Sequence, residues 1–562
     1  MKPTFHSLET VRRALFTQQY AISVTGHNIA NVNTKGYSRQ RVGFQQTSPY
    51  PAAGMNRPEI PGQLGTGVQA GAIERVREHF LDIQFRGENN KLGYYQSLAG
   101  SLARLEDIMN EPSDIGLASV FGQFWAALQD LSAYPESDGT RQVVIQRAHA
   151  VVDTFHYLHD SLTEVREDLG NEIGVNLREI NSLLRQIADL NKQIGDVEPH
   201  GYLPNDLYDQ RDELVDRLSE FLQIKVTARP SGGNAKAMAE GQYVISLVAA
   251  DGRETILVNG SNYMQLGFKT ADQELTYIAP PAVKEIFLFR ADGEHLHLYG
   301  DPIPFVNGNN LVAFANGKLR ALIEAYGYET TDPATGEASV AGIFPDVLDD
   351  LDKLAFTFAN IFNEIHAKGY TLNNERGTDR FFDLVPGSDV DFANKAYKGA
   401  ARDLIVADLD PGDIAASTSA VLDEDGNVIS VDAGDGKNAI NLFNIADMLL
   451  GNTAQKLEGL DETIDLTALS VVPTTGSLHT FYEGIIGGIG VNAQEANRLK
   501  ENSEVLARSV DENRQSVSAV SLDEEFTNLI QFQHAYNAAA RQITVIDEML
   551  DKIINGMGIV GR

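Results

Sequence analysis

Apolar residues recur at coiled-coil spacing at both ends of the chain. Leu529, Phe532, Tyr536, Ala539, Ile543, Ile546, Leu550 and Ile553 alternate three- and four-residue steps without a break, which predicts a helix carrying one adhesive seam. Leu8, Val11, Leu15, Ile22, Ile29 and Val32 keep the same seven-residue frame, with polar Gln18 and Thr25 at the two remaining seam positions. An apolar stripe needs a partner to bury it. The two ends are therefore expected to pack on each other, on neighbouring copies, or on both. The first helix is expected to start near Ser7, whose hydroxyl can cap free amides while Glu9 complements the positive helix end. It should stop by Asn33, because the run from Asn31 to Tyr37 is rich in turn formers and Gly36 can take a positive φ without steric cost. The last helix has a capping-box start in Ser521 and Glu524, and Lys552 followed by Gly556 suits its end.

Extended sequence punctuated by Gly and Pro runs to about Gly71. Between Arg141 and Ile194, Val144, Ala148, Val151, Phe155, Leu158, Leu162, Val165 and Leu169 hold heptad spacing. Ile173 and Leu177 then each follow by four residues, a stutter, before Ile180, Leu184, Ile187 and Ile194 resume. Such a helix is roughly 80 Å long at about 1.5 Å per residue, and it reads best as a member of an intramolecular bundle. A shorter helix is expected from Asn205 to Leu222. The period then changes: Tyr243–Leu247, Ile286–Phe289 and His295–Tyr299 read as short strands between turns. Helical spacing returns with Leu348, Leu351, Ala355, Phe358, Phe362 and Ile365.

The expected fold class is α+β and multidomain, with terminal coiled-coil helices, an elongated helical bundle body and inserted β-rich outer domains. Residues 1–35 and 521–562 would form the terminal assembly domain, and 36–223, 316–372 and 437–520 the body. Residues 224–315 would form an inserted β domain. The loop-rich, acidic stretch 373–436 would be a second surface insertion.

Composition narrows the function classes. With 562 residues and 43% hydrophobic content, several real cores are affordable in size. The formal charge of -33 argues against binding nucleic acid or anionic membranes through bulk electrostatics. There is no cysteine, so disulfides, thiolate metal sites and cysteine nucleophiles are out. Neither a cleaved signal nor a membrane span is expected, since no run of about 18 apolar residues occurs.

The chemistry-bearing patterns are weak. His156 and His159 lie three apart on the long helix, and His295 and His297 share one strand face, but neither pair has a third ligand at readable spacing. Asp423, Asp425 and Asn427 imitate the start of a calcium loop, yet Val428 stands where Gly is needed and Gly434 where a bidentate Glu is needed. Gly484, Gly487, Gly488 and Gly490 lack the order of a nucleotide loop. Close helix packing or a turn is expected there. No catalytic residue, cofactor or metal is expected.

The stretch from Asn28 to Gln40, Asn-Ile-Ala-Asn-Val-Asn-Thr-Lys-Gly-Tyr-Ser-Arg-Gln, resembles the N-terminal signature of bacterial flagellar axial proteins. Its Tyr37-Ser38-Arg39-Gln40 ending is similar to the hook-associated family of the hook-filament junction, where rod and hook subunits read Gly-Phe-Lys. Further similar stretches follow in order. They are Gly65-Thr66-Gly67-Val68 with Ile73, Arg75, Phe80-Leu81 and Gln84; Asn205-Asp206-Leu207 with Asp209-Gln210-Arg211-Asp212; Asn363-Glu364-Ile365-His366 with Gly369; Asn528 to Gln533 with Ala535-Tyr536; and Asp547 to Leu550. The resemblance spans nearly the whole chain outside the β and acidic insertions. One departure is Ala325-Tyr326, where the family carries an arginine.

The resemblance implies a non-enzymatic structural subunit that joins the hook to the filament through the next junction protein and self-associates into a helical ring or tube. It implies an inner layer of terminal helices lining a channel, with the inserted domains facing outward. The turn residues Asn31, Asn33, Thr34, Gly36, Tyr37, Arg39 and Gln40 would fix the angle between the inner helix and the next layer. Hook protein, a second junction protein and an export chaperone at the C-terminal region are the implied partners; nucleic acid and membrane insertion are not. Export would use the flagellar type III apparatus, placing the protein outside the cell at the hook-filament junction. Free termini that cannot bury enough area should be disordered before incorporation. A rod or hook subunit is the alternative, and an enzyme in residues 373–436 the remote one.

Overall fold

The structure, a computed structural model, describes residues 4–52, 54–55, 58, 62–109, 116–292, 295–307, 310–311, 314–331, 338–377, 380–422, 428–461, 463–473 and 475–556. Its spine is a single helix of 60 residues, Asp138–Val197, capped by the Ser137 hydroxyl, which accepts the Thr140 amide. Every apolar heptad position from Val144 to Ile194 is buried except half-buried Val165. The stutter does not interrupt the helix. It marks where the partners change. The first half packs on helices Leu117–Ala133 and Ile343–Ala367, with Phe121 edge-on to both Phe155 and Phe358. The second half packs on helices Asn205–Phe221 and Lys318–Tyr326 and on a sheet. At the changeover two glycines admit close neighbours: a Cβ on Gly170 would lie 2.9 Å from the Tyr326 ring, and one on Gly174 2.4 Å from the Tyr277 carbonyl. Tyr326 receives a guanidinium from the long helix, Arg166, which donates to its carbonyl at 2.9 Å and sits 5.2 Å above its ring.

Residues 224–304 form an antiparallel sheet with the strand order Ile303–Pro304, Glu285–Asp292, Asn262–Lys269, Glu254–Asn259, Gln242–Val248 and Ile224–Arg229. Leu275–Thr276 and His295–Leu298 are added to its third and second strands in that order. Two asparagines of the long helix hold it. Asn181 both donates to and accepts from the Leu266 backbone at 2.8 Å, and Asn191 does the same with Tyr243 at 3.0 Å. Each amide replaces a missing strand partner for buried backbone groups.

The segment after helix Ile343–Ala367 is tied into the same core: Phe381 and Phe382 are fully buried against Phe362. Farther on, the ribbon Ala420–Leu422 with Val428–Val431 leaves Val421, Leu422 and Ile429 exposed. Asp423, Asp425 and Asn427 lie outside the described residues. The penultimate helix, Leu478–Ser518, begins at a Ser477–Thr480 capping box and runs along helix His79–Met109. It carries Gly484, Gly487, Gly488 and Gly490, and a Cβ on any of them would meet nothing within 4 Å. The expectation of close packing or a turn there is overturned. These glycines lie on the outer side of a continuous helix.

Candidate functional site

The N-terminal helix, Thr4–Ala30, and the C-terminal helix, Leu522–Gly556, lie against each other, antiparallel because one ends where the other starts. The predicted C-terminal seam faces inward: Ala539 and Ile546 are buried, Leu529, Phe532, Tyr536, Ile543 and Leu550 are half-buried, and only Ile553 is exposed. In the N-terminal helix Leu8, Val11, Leu15, Ile22, Ile29 and Val32 are all half-buried. The fully buried row is Thr17, Ala21, Thr25 and Asn28, which shares only Thr25 with the predicted seam. It lies under a ribbon made by strands Gln40–Gln46 and Val68–Arg75. The Gly65–Val68 stretch that leads into the second strand is threaded along this helix. There His6 meets the Gly65 carbonyl at 3.1 Å, Gly67 adopts φ +105°, and Thr17 donates to the Val68 carbonyl.

Helix pair, ribbon and body meet at one joint, and Asn28 is its keystone. Its side-chain oxygen accepts from the Tyr37 hydroxyl at 2.8 Å and the Gln40 amide at 3.0 Å. Its side-chain nitrogen donates to the Gln40 carbonyl at 2.8 Å and to Glu525 at 3.1 Å. All four hydrogen-bonding sites of the amide are filled. The turn residues surround it. Asn31 donates to the His27 carbonyl and accepts from Thr34; Gly36 takes φ +79°; Arg39 reaches Glu525 at 2.7 Å and Glu524 at 2.6 Å; Gln40 donates to Asp206 at 3.0 Å. Asn33 is exposed. Glu524, assigned to a capping box by its spacing, clamps the turn to the C-terminal helix through Arg39.

Below the turn the body presents one stripe of helix Asn205–Phe221: Asn205, Asp209, Asp212 and Asp216. Asn205 donates to the Ile73 carbonyl at 2.9 Å, and Asp209 accepts the Ser38 amide at 3.0 Å and Arg75 at 2.6 Å. Asp212 is shared by Arg75, Arg77 and Arg86 at 3.0, 3.3 and 3.2 Å. Arg77 is bidentate on Asp82 at 2.8 Å, Asp216 pairs with Arg86 and Arg514, and Arg211 and Arg75 reach Glu240. Five arginines thus face five carboxylates, none more than a fifth exposed. Burial opposes ionisation of Asp212, but Arg77, Arg75, Arg86 and Arg211 outweigh it and hold the carboxyl well below its usual range. Burial pushes Asp209 up against the pull of Arg75, and pushes the Tyr37 phenol up with the help of Asp206, Asp209 and Glu525.

The predicted turn residues are therefore brought together with partners that periodicity did not single out: Asn28, Glu525, the acidic stripe and its arginines. The signals were present. Asn28 continues the polar face begun by Thr25, and the Asn205–Asp212 stretch already carried the family resemblance. The histidine pairs do other work or stand apart: His156 lies 2.8 Å from the Leu404 carbonyl, His159 3.3 Å from Asp160, and His295 and His297 are on a sheet strand away from the joint. Among the described residues no three metal-ligating side chains gather, and no helix is long and apolar enough to cross a membrane.

Comparison with known proteins agrees with this anatomy. Residues 102–382 match the family described as flagellar hook-associated protein FlgK helical domain. The ends match two flagellar rod families, residues 8–37 the flagella basal body rod protein and residues 512–556 the flagellar basal body rod FlgEFG protein C-terminal. Flagellar hook-associated protein 1 of Bacillus subtilis (strain 168) is 41% identical over 564 residues, covering 100% of both chains. The protein of the same description from Salmonella typhimurium is 24% identical over 601 residues, covering 96% of this chain and 97% of its own. The solved flagellar hook junction protein FlgK from Burkholderia pseudomallei shares the fold at a TM-score of 0.54 and 14% identity, over 78% of this chain and 100% of that one. The chain belongs to the flagellar hook-associated protein 1 family and is a structural protein of the bacterial flagellum.

Proposed function

We propose that this chain joins the flagellar hook to the filament through the next junction protein, by packing its terminal helix pair against those of neighbouring copies. One observation carries the reading. The pair leaves Phe5, Phe16, Tyr20, Phe526, Ile530, Val545 and Met549 exposed, by 46–68%, on top of a seam that is itself mostly half-buried. Two helices alone cover too little of each other, and large apolar side chains in rows on a helix mark a surface awaiting partners.

On this reading residues 1–35 and 521–562 are the assembly module and the seam from Leu529 to Ile553 supplies cohesion. The turn from Asn31 to Gln40 sets the angle to the body. The inserted β domain, residues 224–315, and the segment 373–436 face outward. Hook protein and a second junction protein are the neighbours, and an export chaperone covers the C-terminal region before type III export to the cell exterior. The match of both ends to rod families favours a shared terminal mechanism, while the body match over residues 102–382 favours the junction over a rod or hook position.

Leu529→Asp or Ile543→Asp should leave the body's helical signal intact and block incorporation, because a buried unpaired carboxylate costs several kcal/mol. Wild-type junctions built from either variant would refute the proposal. Coupled folding and assembly predicts weak hydrogen-exchange protection of residues 529–553 in the free chain and strong protection in flagella. Strong protection already in the free chain would remove that part of the reading.

A further inference from the structure

We propose that a groove beside the joint receives the C-terminal tip of a second copy of this chain, in a head-to-tail contact. The inference rests on the assembly reading above and names the surfaces that meet. The groove, of about 420 Å³, lies between the N-terminal helix, the first ribbon strand and the start of the C-terminal helix. Val24, Val42, Phe44 and Phe532 line it. Phe44 is 45% exposed at its mouth. Arg39, also in the lining, is engaged by Glu524 and Glu525, whereas exposed Arg41 has no ion-pair partner among the described residues. The groove thus offers apolar side chains beside polar Gln40 and Asn528, and Arg41 as a cation unpaired among the described residues.

The tip has the opposite character. Asp547, Asp551 and Ile554 fall on one stripe of the C-terminal helix, at steps of four and three, and Ile554 is 71% exposed. Two acids four residues apart on a helix repel. Among the described residues the compensation is the Asn555 amide, which donates to Asp551 at 2.7 Å, and no ion pair reaches Asp547 or Asp551. A local rule broken without ionic compensation points to a partner.

The tip cannot reach its own groove. Phe532 and Asp551 are separated by about 30 Å of the same continuous helix. The match of Asp547, Asp551 and Ile554 to Arg41 and the apolar lining favours another copy as the occupant, and because two different patches meet, the contact is heterologous. It propagates, closing as a ring or continuing as a helical array. Neighbouring copies are then staggered by about 30 Å along the helix pair.

The absence of cysteine makes the test direct. In flagella assembled from the full chain carrying Arg41→Cys and Asp551→Cys as its only copy, mild oxidation should give a reducible ladder of linked multimers, at least roughly ten-fold above either single variant. Charge exchange gives a second readout. Arg41→Glu should lower incorporation by about ten-fold or more, since like charges placed together at an interface are strongly unfavourable, and adding Asp547→Arg and Asp551→Arg should restore it. No ladder together with normal incorporation of Arg41→Glu overturns the contact and leaves assembly through the seams standing. Failure of the wild-type chain to incorporate into flagella overturns the assembly reading, and this contact with it.

Discussion

His366 can be protonated only at the expense of the fold. It lies in the last turn of helix Ile343–Ala367, 1% exposed, with its ring stacked on Phe362 at 6.4 Å and tilted against Phe381 at 5.6 Å. Its Nε2 accepts the Ala415 amide at 3.0 Å, so the neutral ring carries its proton on Nδ1, and a second proton would set two donors face to face. Burial pulls the imidazole down to about 4; Asp413 favours its protonation and Arg141 opposes it. Above about pH 6.5 the ring is neutral in both folded and unfolded chains. As pH falls from there toward about 4, the unfolded chain binds a proton that the folded chain does not, so stability is lost across that window and no further below it. At about 1.36 kcal/mol per pH unit the full loss is about 3 kcal/mol. The chain's single tryptophan, Trp125, reports on the same aromatic cluster, 5.8 Å from Phe358, which in turn touches Phe362. Urea unfolding followed by its fluorescence, in steps from pH 7.5 to 4.5, should show the wild type losing about 2.5 kcal/mol more than His366→Gln. The variant loses packing equally at every pH. Parallel pH profiles for the two proteins would mean the ring protonates in place, and the buried neutral histidine would have to be abandoned.

Asp212→Asn removes the carboxylate shared by Arg75, Arg77 and Arg86 and should cost roughly 3–5 kcal/mol in urea unfolding. Glu179→Gln, which breaks only the exposed pair with Arg217, should stay under about 1 kcal/mol; equal effects would contradict the assigned burial. Gly487→Ala and Gly488→Ala should each raise stability by about 1 kcal/mol, because a helix-interior glycine is replaced where the new methyl meets nothing. A lowered melting temperature for either would show that the glycine is needed for a contact within the chain.

The long helix was legible because its heptads are strict and its neighbours lie inside the chain, so the same residues that keep the period are the ones buried. The stutter was legible as an irregularity but not as a cause: only the placement of Tyr277 and Tyr326 shows that it is where helix partners give way to the sheet. The N-terminal seam was half legible. Its apolar frame is real, yet the deepest row is Thr17, Ala21, Thr25 and Asn28, small and polar residues chosen to lie under a ribbon that no periodicity announces. Arg75 and the Asn205–Asp212 stretch of the ionic joint stood out by family resemblance, but which arginine meets which carboxylate was not legible. Asp209, Asp212 and Asp216 on an acidic helix look like a solvated face, and their partners Arg75, Arg77 and Arg86 are more than a hundred residues away. Pairing at such separation is a property of the fold and leaves no local trace.

Two kinds of chemistry divide the work between pair and joint. Apolar contact is non-directional, so stripes such as Phe16 and Tyr20 would be buried as well against the chain's own body as against a neighbour. What prevents this is that swinging the helix pair inward breaks bonds with fixed geometry: the four bonds of Asn28, the clamp of Arg39 on the C-terminal helix, and the Ser38 amide on Asp209. Each buried group left without its partner costs about 1–3 kcal/mol, and more where it is charged. Breaking all of them together works against the roughly 1.5–3 kcal/mol that burial of each large apolar side chain would return. The joint thus opposes collapse of the helix pair onto the body and keeps Phe16 and Tyr20 half or more exposed.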